Sequence, residues 1–102
     1  MQMTDKTGTL KKIFHTAWCV RTPYPASETF QDAKYRFYTT AQEFEIKAIW
    51  RGHKGIKDYG VKDDRGPAQC YHFWEIEHEA DAMLFLLHCG DHLEHKLFVD
   101  YE

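Results

Sequence analysis

The run from Gln69 to Gly90, QCYHFWEIEHEADAMLFLLHCG, changes period midway, and that change restricts the fold more than any other feature of the chain. From Gln69 to Glu77 the residues alternate, which puts Cys70, His72, Trp74 and Ile76 on one face of an extended strand and Tyr71 and Phe73 on the other. Beyond it the spacing becomes helical. Glu79 and Asp81 complement the dipole of a helix start, Ala82, Phe85, Leu86 and Cys89 form an apolar stripe, and Gly90 marks the stop. A strand joined this tightly to a helix calls for a layered domain in which the helix stripe covers a sheet.

The remaining segments extend this pattern. Lys11 to Val20 reads as a first strand, with Phe14, Thr16, Trp18 and Val20 on one face and Ile13, His15, Ala17 and Cys19 on the other. The prolines of RTPYPAS break the chain, and Ser27 is placed to cap a helix from Ser27 to Tyr38, where Phe30, Ala33, Lys34 and Phe37 share a stripe. Within residues 41–50, Phe44, Ile46, Ala48 and Trp50 alternate as a second strand would. Ala41, Phe44 and Ala48 fit a continued helix equally well, and periodicity does not separate the two. Residues 51–69, with four glycines, Pro67 and the cations Arg51, Lys54, Lys57, Lys62 and Arg65, read as a basic Gly-rich loop. Residues 1–9 read as a flexible terminus, and KLFVDYE has strand composition. The expected whole is a single α+β domain over residues 1–102: a two-layer antiparallel sheet with both helices on one face, in the βαββαβ order called ferredoxin-like.

Composition bounds what such a domain does. With 43% hydrophobic and 16% aromatic residues, 102 residues suffice for a core. The longest apolar run, Ala82 to Leu87, is too short to cross a bilayer, so no membrane partner is expected. Cys19, Cys70 and Cys89 are odd in number and far apart, which fits a reducing compartment such as the cytoplasm. The net charge of -3 hides an asymmetry: residues 1–74 hold twelve Lys/Arg against eight Asp/Glu, whereas residues 75–102 hold Lys96 against eight acids. Such a block repels nucleic acid and attracts basic protein surfaces.

In the expected fold Phe14, Trp18, Tyr71 and Phe73 sit opposite the helices, and large aromatic surface left open on a monomer marks an interface. A partner protein with a basic surface is expected there and on the acids Glu75, Glu77, Glu79, Asp81, Asp91 and Glu94, and a homodimer is another way of covering the face. A nucleic-acid alternative rests on Arg51, His53, Lys54 and Lys57, because Gly52-His53-Lys54-Gly55 resembles the loop with which KH domains clamp a backbone, and because Tyr71 and Phe73 are placed to stack bases. Glu75 and Glu77 on the same face disfavour phosphate.

The stretch HCGDHLEHK raises the question of metal, since Cys89, His92 and His95 are zinc-type ligands three apart. Gly90 interrupts them, and Asp91 with Glu94 has capping-box spacing, so a helix stop and a short capped turn are expected, with no metal or other cofactor. For catalysis, no nucleophile elbow, phosphate loop or paired-carboxylate pattern is present. His15 and Cys19 point the same way but lie about 13 Å apart by strand rise. A non-enzymatic role follows.

The segment Phe73 to Gly90 resembles the aromatic strand and D-A-x-x-F-x-L-x-x-G helix of small bacteriophage-encoded accessory proteins, through Asp81, Ala82, Phe85, Leu87 and Gly90. The likeness covers under a fifth of the chain, and His88 and Cys89 stand where those proteins tend to be basic. It implies a protein that binds and disables a host factor, bacterial defence machinery included, and it assigns no site residue.

Overall fold

The computed structural model describes residues 11–55 and 69–101. They form β1 (Lys12–Pro25), α1 (Phe30–Glu43), β2 (Ala48–Lys54), β3 (Gln69–Ile76), α2 (Glu79–Cys89) and β4 (His92–Tyr101). The strands make one sheet in the order β2-β3-β1-β4, antiparallel at every neighbouring pair. Phe37 of α1 and Phe85 of α2 both meet Trp74 of β3, at centroid separations of 6.4 and 6.0 Å, so the two helices share one face of the sheet. The core between the layers is Val20, Tyr24, Ala33, Phe37, Ala41, Ile46, Cys70, Trp74, Ile76, Ala82 and Phe85. Among the described residues no helix is long and apolar enough to cross a membrane.

β3 and α2 form where the alternation and the stripe place them. β1 runs five residues beyond Val20, through both prolines. The reason lies in the pairing: β4 accompanies β1 only as far as Arg21, opposite His92, while β3 continues to Gln69 opposite Pro25. Pro23 and Pro25 thus occupy a stretch with a neighbour on one side, where a missing N–H is tolerated.

α1 is shifted toward the C-terminus. Its cap is Thr29, whose Oγ1 accepts from the Asp32 N–H at 3.1 Å, and not Ser27. Thr39 and Thr40 do not end it, because each hydroxyl donates to the carbonyl four residues back, on Tyr35 and Arg36. The stop comes at Phe44: the Glu45 N–H donates to the Gln42 carbonyl and the Ile46 N–H to the Ala41 carbonyl, the paired bonds of a Schellman motif. Its left-handed position, φ 56°, is held by Glu45 where glycine is usual. Residues 41–43 are therefore helical, and β2 begins only at Ala48.

Two further expectations change. Arg51 to Lys54 are the second half of β2 and not a loop, while residues 56–68, Lys57 among them, lie outside the described residues, as do residues 1–10. The capped turn expected at Asp91 and Glu94 is instead the start of β4: the Asp91 N–H donates to the Arg21 carbonyl at 2.9 Å, and Glu94 pairs with Cys19. Gly90 is required by contact, since a Cβ there would stand 2.6 Å from Val20 Cγ1 and 3.0 Å from Leu86 Cα.

Candidate functional site

The aromatic face expected from the sequence is divided between the two sides of the sheet. Trp18 lies opposite Ile76 and Val20 opposite Trp74, so this side of β1 looks toward the helices, and Phe14 shares it. Tyr71 and Phe73 point the other way, with His15, Ala17, Cys19 and Arg21. Both sides of β1 are apolar enough to serve as core, so its alternation alone left the choice open. Trp18 is half-buried against the core and meets the His95 ring at a tilt, with centroids 4.7 Å apart, while Phe14 remains 57% exposed.

On the open side the chain covers its own rings with cations. The Arg51 guanidinium stands 4.9 Å from the Phe98 centroid, Lys96 Nζ 5.6 Å from the same ring, and Arg21 4.3 Å from Tyr71. Trp50 pairs with Trp74 on the helix side, so alternation sets Arg51 on this face, at a bulge between Trp50 and Gly52. Arg51 Nε donates to Glu75 at 2.6 Å, and its two terminal nitrogens donate to Asp100 at 2.7 and 2.9 Å. His15 Nε2 meets the second Glu75 oxygen at 2.7 Å. The hydrogen bonds from Arg51 hold the Asp100 carboxyl below its ordinary range. Arg21 likewise binds Asp91 through two bonds of 2.8 and 3.2 Å. The acidic C-terminal third is therefore partly neutralised from within: Glu75, Asp91 and Asp100 are tied to arginines of the basic part, whereas Glu77, Glu79 and Glu94 are exposed and Asp81 half-exposed.

Beneath α1 the chemistry is neutral. His72 is fully buried among Tyr24, Phe30, Phe37, Trp50, His53 and Trp74. Trp50 Nε1 donates to its Nδ1 at 3.0 Å, which leaves the ring hydrogen on Nε2, 3.2 Å from the Phe30 carbonyl oxygen. Burial pushes the His72 pKa down to about 4. Trp74 Nε1 donates to Thr22 Oγ1, which donates to the His72 carbonyl, so this polar chain is satisfied without charge. The bulge in β2 returns His53 to this side, where its Nε2 lies 2.6 Å from the Tyr24 hydroxyl, a group that burial pushes up to about 12.

The sequence motifs do not assemble into a reactive centre. His92 and His95 are three apart on a strand and so face opposite sides, and the Cys89 thiol donates to the Phe85 carbonyl, so these three do not converge. Burial raises the Cys19 and Cys89 thiols, away from the thiolate a nucleophile or metal ligand needs. In Gly52-His53-Lys54-Gly55 the first three residues are strand, Arg51 beside them is spent on carboxylates and His53 is packed under α1, so the clamp geometry of a KH loop is not formed.

No protein-family model and no curated protein matches the chain. What it can do must be read from the surface that folding leaves uncovered.

Two parts of that surface stand out among the described residues. α2 is apolar around most of its circumference, yet only Ala82 and Phe85 are buried; Met83 is 51% and Leu87 79% exposed, beside a broad open cavity of about 640 Å³ lined among the described residues by Ala80, Met83, Leu84, Leu86 and Leu87. The second part is the far end of the β1–β4 ribbon, where Phe14, Leu97 (55% exposed), Val99 and Tyr101 (59% exposed) adjoin on the helix side beyond the helices. The sequence signal for the first was present in ADAMLFLLHC, which has more apolar residues than one stripe needs.

Proposed function

We propose that this is a non-enzymatic protein-binding protein that takes its partner on the outer flank of α2. A helix apolar on nearly every side is stable in water only when it is covered on nearly every side. Here the sheet and α1 cover one flank, Leu84 is partly buried, and Met83 and Leu87 have no second layer over them among the described residues. This uncovered flank is the observation that carries the reading. Glu77, Glu79 and Asp81 ring the helix start, so the fitting partner has an apolar patch bordered by Lys or Arg. Leu87, one of the residues in the likeness to phage accessory proteins, is the most exposed large apolar side chain described, which supports a host protein as partner and inhibition or redirection as outcome. Three free cysteines support a reducing compartment such as the cytoplasm.

We read the architecture as ferredoxin-like. The support is that β1 and β2 flank β3, and β3 and β4 flank β1, so that β1-α1-β2 and β3-α2-β4 are two split βαβ units on one antiparallel sheet.

The test is capture from bacterial lysate, quantified by mass spectrometry, with wild-type protein and with Leu87→Glu. Leu87 touches little of the core, so the variant keeps its fold by circular dichroism, and it is expected to lose about tenfold or more of the captured partner. Equal capture by both proteins, or none by the wild type, refutes the reading.

A further inference from the structure

We propose that β4 pairs edge to edge with β4 of a second copy of this chain, antiparallel about a two-fold axis at Phe98, and joins two four-stranded sheets into one of eight. β4 is a ten-residue edge strand bonded on one side to β1, and among the described residues no segment pairs with its outer side. Natural edges of this length are blunted by proline, a bulge, inward charge or charged side chains such as Lys, and of these β4 carries only the last, in Glu94, Lys96 and Asp100. β4 has no proline, its pairing with β1 runs without a bulge from His92 to Tyr101, and it leaves Leu97, Val99 and Tyr101 exposed beside Phe14.

The occupant is identified by the sequence of the edge itself. With the axis at Phe98, Lys96 of each copy stands opposite Asp100 of the other, Leu97 opposite Val99, His95 opposite Tyr101, and Phe98 opposite its own equivalent. From His95 to Tyr101 every pair is of opposite charge or of apolar and aromatic partners, the combinations that stabilise neighbouring strands, and the one like-charge pair, Glu94 with Glu102, falls at the outer end of the register. Lys96 and Asp100 lie on the open side of the sheet, both part-exposed, and Asp100 retains acceptor capacity beyond its bonds to Arg51. Leu97 and Val99 lie on the helix side, so the two copies merge their exposed strips, Phe14 included, into one covered patch. Other registers fit worse. An axis at Leu97 sets Glu94 against Asp100, one at Lys96 sets two lysines together, and one at His95 matches Glu94 with Lys96 but strands Tyr101 and half the apolar strip. Such an interface is isologous and closes at two copies. It rests on the β4 edge and not on the exposed side chains of α2, so the proposal stands apart from the reading of α2 as a partner site.

Sedimentation of the full chain across a concentration series tests it. The expected result is a dimer for the wild type and for Leu87→Glu, and a dissociation constant raised about tenfold or more by Lys96→Glu, which sets like charges opposite each other twice. Lys96 is an exposed position, so the variant is expected to melt as the wild-type fold does. Disulfide trapping fixes the register: Leu97→Cys chains mixed with Val99→Cys chains crosslink, and Leu97→Cys chains alone do not. A wild-type monomer at every concentration, a dimer indifferent to Lys96→Glu, or crosslinking by Leu97→Cys alone overturns the proposal.

Discussion

The two sides of this sheet are built from the same strands and solve the same problem in opposite ways. On the helix side, Trp74, Phe37 and Phe85 close over His72, whose two ring nitrogens and the Trp74 indole N–H are met by neutral hydrogen bonds, with Lys34 over Trp50 and Arg36 over Phe37. On the open side, no second layer lies over Phe73 and Phe98 among the described residues, and Arg51, Lys96 and Arg21 lie across the aromatic surface, the two arginines held by Glu75, Asp100 and Asp91 and Lys96 3.9 Å from Glu94. One side is made dry by packing and the other by long cationic stems. An aromatic surplus read from composition therefore need not signal a partner, because a chain rich in arginine and lysine can cover its own rings. Among the described residues, neither solution operates at the α2 flank and the β4 edge, where Leu87, Met83, Leu97 and Tyr101 remain exposed.

The difference predicts unequal costs of truncation. Trp74→Ala removes a wholly buried ring and is expected to cost about 4 kcal/mol, whereas Phe73→Ala, half-buried under flexible side chains, is expected to cost roughly 2 kcal/mol. Chemical denaturation of the two variants checks this, and equal costs would mean the open side is packed like the core. Charge should matter most on the open side. Arg51→Ala leaves Glu75, 7% exposed, with only His15 as partner, and is expected to lose about 3 kcal/mol. Replacing both members, Arg51→Met with Glu75→Met, is expected to restore most of that, because the ion pair is there to satisfy its own charges. If the double variant is as unstable as the single, Arg51 acts through something other than Glu75.

Much of this was legible in the sequence where a local signal and the tertiary answer coincide. β3 has one plainly larger face, Cys70, His72, Trp74 and Ile76, and α2 is bounded by acids and by a glycine that contact demands. The shift of α1 was hidden because its stop uses Glu45 in a conformation that glycine usually signals, and because Thr39 and Thr40 are accommodated by their own hydroxyl bonds. The sidedness of β1 was hidden for another reason: Phe14, Trp18 and Val20 compete with Ile13, Ala17 and Cys19, and only the pairing of Val20 with Trp74 decides between them. The charge asymmetry was visible, but not its use. Arg51 and Asp100 are 49 residues apart and belong to the two edge strands of the sheet, β2 and β4, so only the strand order brings them together.

The sharpest contrast between the sides is their response to acid. His72 has its folded pKa at about 4, well below the ordinary value of about 6.5, so as pH falls the unfolded chain takes up a proton first. Its contribution to stability is complete above the ordinary value and is lost progressively on the way down to about 4. The expected loss between about pH 7.5 and about pH 5 is about 2 kcal/mol. Glu28 and Asp100, whose folded values are lowered by Arg36 and Arg51, add a loss of the same sign only further down, as pH passes through the carboxylate range. His72→Asn keeps an acceptor for Trp50 and removes the titration. It should be less stable near neutrality, because the Phe30 carbonyl loses its donor, and flatter than the wild type through the histidine window. The difference between the two denaturation curves isolates His72 from the exposed histidines. Parallel curves would place a protonated imidazole inside the Trp50 hydrogen bond, which the geometry of Nδ1 forbids.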